Sequence, residues 1–167
     1  PLVPEQYVYA HIVRFPTSQA EAKRRTRERL LEMRERIISG KSDMGVLART
    51  YSVDPGSAMR GGEYPAGSLS SLTPPFAEAL EKLKAGQISE VVETEFGFHI
   101  IQLMEEPKNG MYRYRHILLR PTYTTDELME PTKYLDSLVK VIRTDSITFE
   151  KAALDHSEDN LTKMNGG

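Results

Sequence analysis

Residues 7–14 alternate and are rich in aromatic and β-branched side chains, which predicts a strand. Pro16-Thr17-Ser18 breaks it, and the period then changes. Across 19–38 the positions Ala22, Thr26, Leu30, Met33 and Ile37 recur at helical spacing, while Lys23, Arg24, Arg27, Glu28, Glu35 and Arg36 occupy the opposite face. Gly40 is placed to end this helix. Ser42 or Asp43 can cap a second one that turns Met44, Leu47, Ala48 and Tyr51 inward. Residues 54–71 are rich in Gly, Pro and Ser and read as a long loop, which in a compact domain usually has a task. Thr73-Pro74-Pro75 suits the start of a third helix that runs to about residue 84 and buries Phe76, Ala79, Leu80 and Leu83. Two further strands follow, at 91–94 and 99–104, with Glu95-Phe96-Gly97-Phe98 as the turn of a hairpin. This order predicts an α+β module in which the first and last strands meet in one antiparallel sheet.

The pattern then starts again. Tyr7-Val8-Tyr9-Ala10-His11-Ile12 returns as Tyr112-Arg113-Tyr114-Arg115-His116-Ile117, an offset of 116 − 11 = 105 residues. At the same offset Ser52-Val53-Asp54 returns as Ser157-Glu158-Asp159 and Gly61-Gly62 as Gly166-Gly167. Leu30, Met33, Ile37 and Met44 keep step with Leu135, Leu138, Ile142 and Phe149. One ungapped register predicts tandem copies of one domain. The expected division is a complete module at 7–106, a linker at 107–110, and the front half of a second module at 111–167. In that half Pro131 falls near the start of the long helix, and a short helix is expected at 148–156. The half copy lacks the later helix, the phenylalanine and the hairpin, so it is expected to be catalytically dead. Its apolar residues should be covered by docking on the first module or by inter-chain pairing through 111–167.

Composition narrows the function classes. The chain has 167 residues, 39% hydrophobic and 28% charged, which is ordinary for a globular protein. A formal net charge of −2 supplies no global field for nucleic acid or an anionic membrane. No apolar run approaches the roughly 20 residues of a membrane span. Pro1-Leu2-Val3-Pro4 has neither the basic start nor the apolar stretch of a leader, and the chain reads as a piece of something longer. Cysteine is absent, which excludes disulfides and thiolate chemistry. The four histidines show no i, i+4 pair, so no metal site is expected. The basic run Lys23-Arg24-Arg25-Thr26-Arg27 is interleaved with Glu21, Glu28 and Glu32, which fits a solvated, ion-paired face rather than a phosphate site.

Several segments together resemble the parvulin family of peptidyl-prolyl isomerases. They are Ala10-His11-Ile12-Val13, Met44-Gly45-Val46-Leu47-Ala48, Tyr51-Ser52-Val53-Asp54, Gly61-Gly62-Glu63, Pro75-Phe76, Gly86-Gln87-Ile88-Ser89, and the run from Val92 to Ile101. Tandem modules of this kind look like the SurA-type foldases of the bacterial periplasm. The resemblance implies a parvulin-like four-stranded antiparallel sheet wrapped by helices, followed by a truncated second copy of the same module. It implies a groove for X-Pro segments of unfolded polypeptides, a periplasmic location and no cofactor. It places His11 and His99 at the first-strand and last-strand histidines, Asp54 at the acidic position and Thr94 beside the histidine pair. Leu72 and Phe76 fall on the proline pocket. Tyr64 replaces a pocket-edge leucine, Pro65 replaces a glycine, and Gly67 stands where the family has an aromatic residue.

The chemistry asks for such a set. Rotation about X-Pro breaks no σ-bond, and its barrier of roughly 18–20 kcal/mol is lost amide resonance. A catalyst must hold the twisted amide better than either planar form. An apolar slot grips the ring while polar groups face the amide, and Asp54 can act electrostatically near the carbonyl carbon. The histidines also admit a plainer reading, mutual hydrogen bonding that shapes the sheet with an indirect part in catalysis, and Phe76 could be simple core. Two functions therefore stand: an isomerase of X-Pro bonds, or a non-catalytic peptide-binding chaperone module, which the altered 64–67 loop favours.

Overall fold

The long amphipathic stretch is helix α1 (Gln19–Ile38), with Ala22, Thr26, Leu30 and Met33 on its buried face. This computed structural model describes residues 8–167. Asp43 caps α2 (Met44–Tyr51) by accepting a hydrogen bond from the Val46 N–H, which satisfies one of the free donors of the first turn. Helix α3 (Pro74–Glu81) begins on its two prolines after Thr73. The hairpin is β2 (Val92–Thr94) and β3 (Gly97–Leu103). Residues 54–71 are less irregular than their composition suggests, because they contain strand β1 (Glu63–Ser68).

The sheet has four strands, all antiparallel, in the order β1-β4-β3-β2. Its member between β1 and β3 is β4 (Met111–Leu119), the segment expected to open the second copy. Residues 8–16 form no strand, and Tyr7 of the expected first strand lies outside the described residues. The period of two along β3 and β4 sorts their side chains onto two faces. Phe98, Ile100, Ile117 and Leu119 pack with Leu30, Met33, Met44 and Leu47 of the first two helices. Ile101, Leu103 and Tyr114 pack with Phe76 and Leu80 of α3. His99 and His116 fall on that second face, in step with Ile101 and Tyr114.

The chain divides into two compact units, one of Ala20–Thr122 and one of Pro1–Gln19 with Tyr123–Gly167. This differs from the division at 107–110 expected from the sequence. Within the latter unit α4 (Thr125–Arg143) starts at a capping box formed by Thr124 and Glu127, and Pro131 lies inside the helix. Thr148 caps α5 (Phe149–His156). Residues 8–16 run against the segment after α5. The His11 N–H donates to Gly167 O (2.7 Å), the Val13 N–H to Ser157 Oγ (3.1 Å), and the Glu158 N–H to Val13 O (2.8 Å). The unit that holds the sheet repeats these bonds at the 105-residue offset. The His116 N–H donates to Gly62 O (3.0 Å), the Leu118 N–H to Ser52 Oγ (3.1 Å), and the Val53 N–H to Leu118 O (2.9 Å).

Candidate active site

A cleft of about 460 Å³ opens on the α3 face of the sheet, lined by Asp54, Tyr64, Leu72, Phe76, His99, Tyr114 and His116 among others. Its polar wall is one hydrogen-bonded line. His99 and His116 stand side by side on β3 and β4, their rings nearly parallel at 12° with centroids 5.3 Å apart. Their Nδ1 atoms are 3.1 Å apart. His116 Nε2 is 2.9 Å from Asp54 Oδ2, and His99 Nε2 is 2.8 Å from Thr94 Oγ1. The partners assign the protons. Ionised Asp54 can only accept, so His116 carries its proton on Nε2 and accepts at Nδ1. His99 then donates from Nδ1, and its Nε2 accepts from the Thr94 hydroxyl. Thr94 in turn accepts from the Phe96 N–H (3.1 Å).

Asp54 is held from several sides. The Ser57 hydroxyl and the Tyr64 hydroxyl (3.0 Å) both donate to Oδ2, and the Gly56 N–H donates to Oδ1 (3.2 Å). Burial alone would raise this carboxyl, but the bonds from Ser57, His116, Gly56 and Tyr64 overcome it and hold the pKa at about 2. Burial pushes His99 down to about 4, with the neighbouring His116 adding to the shift and Asp54 opposing it. Burial likewise lowers His116 against the hydrogen bond and charge of Asp54. At neutral pH the wall therefore presents one carboxylate and two neutral imidazoles.

The floor is aromatic. Phe76 meets His99, His116 and Tyr114 edge-on, with centroids 5.3, 5.5 and 5.3 Å away. Tyr64 stacks on Tyr114 at 5.7 Å. The residue that departs from the family's usual leucine thus gives its ring to the rim and its hydroxyl to Asp54. Burial, followed by Tyr64 and Asp54, raises the Tyr114 phenol to about 12, so it stays protonated.

Of the residues singled out in the sequence, Asp54, Tyr64, Leu72, Phe76 and His99 line this cleft. Thr94 stands behind His99 as a positioning residue. His11 is not brought to them. Its Nε2 lies 2.8 Å from Asp159 Oδ2 and 3.2 Å from Thr162 Oγ1, in the other unit. The place beside His99 belongs to His116. Sequence reasoning also passed over Ser57 and Tyr114. The signal for His116 and Tyr114 was present in the repeat, since they are the counterparts of His11 and Tyr9.

The profile of the rotamase family, a PPIC-type PPIase domain, matches residues 11–105. The chain belongs to this family. The matched span of this rotamase domain begins at His11 and ends before β4. Among curated relatives, Chaperone SurA of Alkalilimnicola ehrlichii is 35% identical over 98% of this chain and 39% of its own length. Chaperone SurA of Shewanella denitrificans is 38% identical over 62% of this chain and 24% of its own length. The chain therefore spans well under half the length of these relatives. A solved structure of the peptidylprolyl isomerase PrsA from Bacillus cereus covers 49% of this chain and 31% of its own, at 38% identity and a TM-score of 0.46.

The titration of the pair has a measurable consequence. A histidine whose folded pKa lies below its unfolded value near 6.5 binds more protons when unfolded, so stability rises with pH across that window. The contribution is whole above pH 6.5 and is lost as pH falls through about 4, the folded value of His99. For His99 alone it amounts to about 3 kcal/mol. Asp54 acts in a lower window, its stabilisation being present above 3.8 and lost as pH falls through about 2. Urea midpoints should therefore drop between about pH 7 and about pH 4.5. A midpoint unchanged over that range would mean that the pair is not buried and neutral.

Proposed function

We propose that the chain is a peptidyl-prolyl cis-trans isomerase that acts on X-Pro bonds of unfolded polypeptides without a covalent intermediate. The observation that carries this reading is the meeting, in one open cleft, of the Asp54–His116–His99–Thr94 line with the apolar surface of Phe76, Leu72 and Tyr114. The apolar side takes the pyrrolidine ring, whose shape is the same in both isomers. The polar side meets the amide, whose charge distribution changes as ω twists. Asp54 stays ionised and lies where its field favours the ketone-like carbonyl carbon of the twisted state. Its own donors fix it in advance, so little reorganisation accompanies the twist. The neutral imidazoles fix the direction of that field and bring no competing positive charge.

The extended, unfolded clients and a periplasmic location belong to the same proposal, drawn from the likeness to SurA-type foldases. No helix among the described residues is long and apolar enough to cross a membrane. The alternative is a module that binds extended chains without useful turnover, as its chaperone relatives' names allow. Tyr64 favours it, because the phenol occupies one acceptor site of Asp54 that a substrate could otherwise use.

A protease-coupled assay on a short Ala-Pro peptide separates the two. The isomerase reading expects cis-to-trans conversion to accelerate in proportion to protein concentration. Saturable peptide binding with the uncatalysed rate unchanged would establish the binding module instead.

A further inference from the structure

Residues 8–14 and β4 carry two versions of one strand sequence, and three of the hydrogen bonds that hold β4 in its unit recur around residues 8–14 in the other. Tyr9, His11 and Ile12 recur as Tyr114, His116 and Ile117, and the segments are followed by Pro16-Thr17 and Pro121-Thr122 at the same offset. Two backbone–backbone bonds and one backbone bond to a serine hydroxyl recur residue for residue, as described above. The polar contacts recur too. His11 meets Asp159 and Thr162 at 2.8 and 3.2 Å, and His116 meets Asp54 and Ser57 at 2.9 and 3.2 Å. Gly62 and Gly167 both have positive φ, and each lies so close to its histidine's carbonyl that a Cβ would collide with it. The family match includes residues 11–14 and excludes β4, whereas the sheet takes β4.

We infer that the two segments exchange, so that the slot between β1 and β3 accepts residues 8–14 as well as β4. The imidazole beside His99 then comes from His11 in one arrangement and from His116 in the other. The chain passes between its units at 19/20 and at 122/123, next to the two Pro-Thr hinges. Of the positions where they differ, 14/119 weighs most in the balance. Leu119 is 5% exposed and belongs to the core of the sheet, whereas its counterpart Arg14 lies over the Tyr134 ring at 4.6 Å and donates to His156 O. Placing Arg14 in the slot would bury a guanidinium where Leu119 now packs, so β4 is the major occupant. The exchange rests on backbone equivalence and does not depend on the isomerase reading.

The absence of cysteine makes it testable in the full chain. Gln102 on β3 pairs with Arg115, whose counterpart is Ala10. Facing strand positions lie within disulfide reach. The variant Q102C/R115C reports β4 in the slot, and Q102C/A10C reports residues 8–14. Mild oxidation at low protein concentration, read by thiol loss, intact mass and non-reducing electrophoresis, should close both within single molecules, the R115C pair in higher yield. Adding Arg14→Leu should raise the yield of the A10C pair roughly tenfold, since one leucine's burial then favours the exchanged form. The inference is overturned if the A10C pair keeps both thiols free with and without Arg14→Leu, or if it closes only between molecules. It is overturned equally if the R115C pair fails to close.

Discussion

Replacing His116 with alanine is expected to lower turnover on an Ala-Pro peptide about a hundredfold, the usual scale for losing one member of a preorganised electrostatic site. His116 is the link in the polar wall. Without it Asp54 loses one of its donors and the buried His99 Nδ1 loses its acceptor. The orphaned His99 donor costs about 1–3 kcal/mol, whereas Asp54 keeps its bonds from Ser57, Tyr64 and Gly56. Asp159→Ala is the matched control, because it removes the equivalent carboxylate of the other unit. It should leave turnover within about twofold, since preorganisation acts only where the groups converge on the amide. Measuring kcat/KM together with urea midpoints separates lost chemistry from lost folding. Undiminished turnover in a folded chain that carries both His116→Ala and His11→Ala would remove the histidine line from the mechanism.

The outcome for His116 also shows what local sequence can express. Helices α1 to α5 were legible because each carries its own instructions: an apolar stripe at helical spacing, and for α2, α4 and α5 a side chain that caps the first turn. The β2–β3 hairpin was legible because its partners are adjacent. Strand β1 was not. Its sequence Glu63-Tyr64-Pro65-Ala66-Gly67-Ser68 has no alternation, and its register shifts between Tyr64 and Gly67. A proline and a bulge are tolerated there because β1 is an edge strand. The cleft's Asp54, Phe76 and His99 could be named in advance, since each stands in a segment that resembles the family's own. The second imidazole could not be placed by the same means. Two segments carry nearly the same strand, and the competition between them turns mostly on Leu119 against Arg14 at one tertiary position. A repeat makes the site readable and its assembly ambiguous.

Phe76→Ala should produce the largest loss of stability in the site, about 3–5 kcal/mol, because it empties the floor beneath three rings at once. Phe76 is 5% exposed and touches His99, His116 and Tyr114 edge-on, so the cavity would lie directly under the polar wall. That variant alone cannot tell a structural floor from a substrate grip, since both fail together. Phe76→Leu does so. It keeps most of the volume and should cost less than Phe76→Ala, about 2 kcal/mol of stability, most of it the lost ring-edge contacts. It removes the flat ring on which a pyrrolidine can lie, together with the edge contacts worth about 0.5–1.5 kcal/mol each. Turnover should then fall about fivefold, with KM raised more than kcat is lowered, as expected when a uniform binding contact is lost. Denaturation midpoints between those of the parent and Phe76→Ala would show that the sheet still closes. Full activity in Phe76→Leu would mean that the ring only fills the core and that the proline is gripped elsewhere in the cleft, with Leu72 and Tyr114 the remaining apolar candidates.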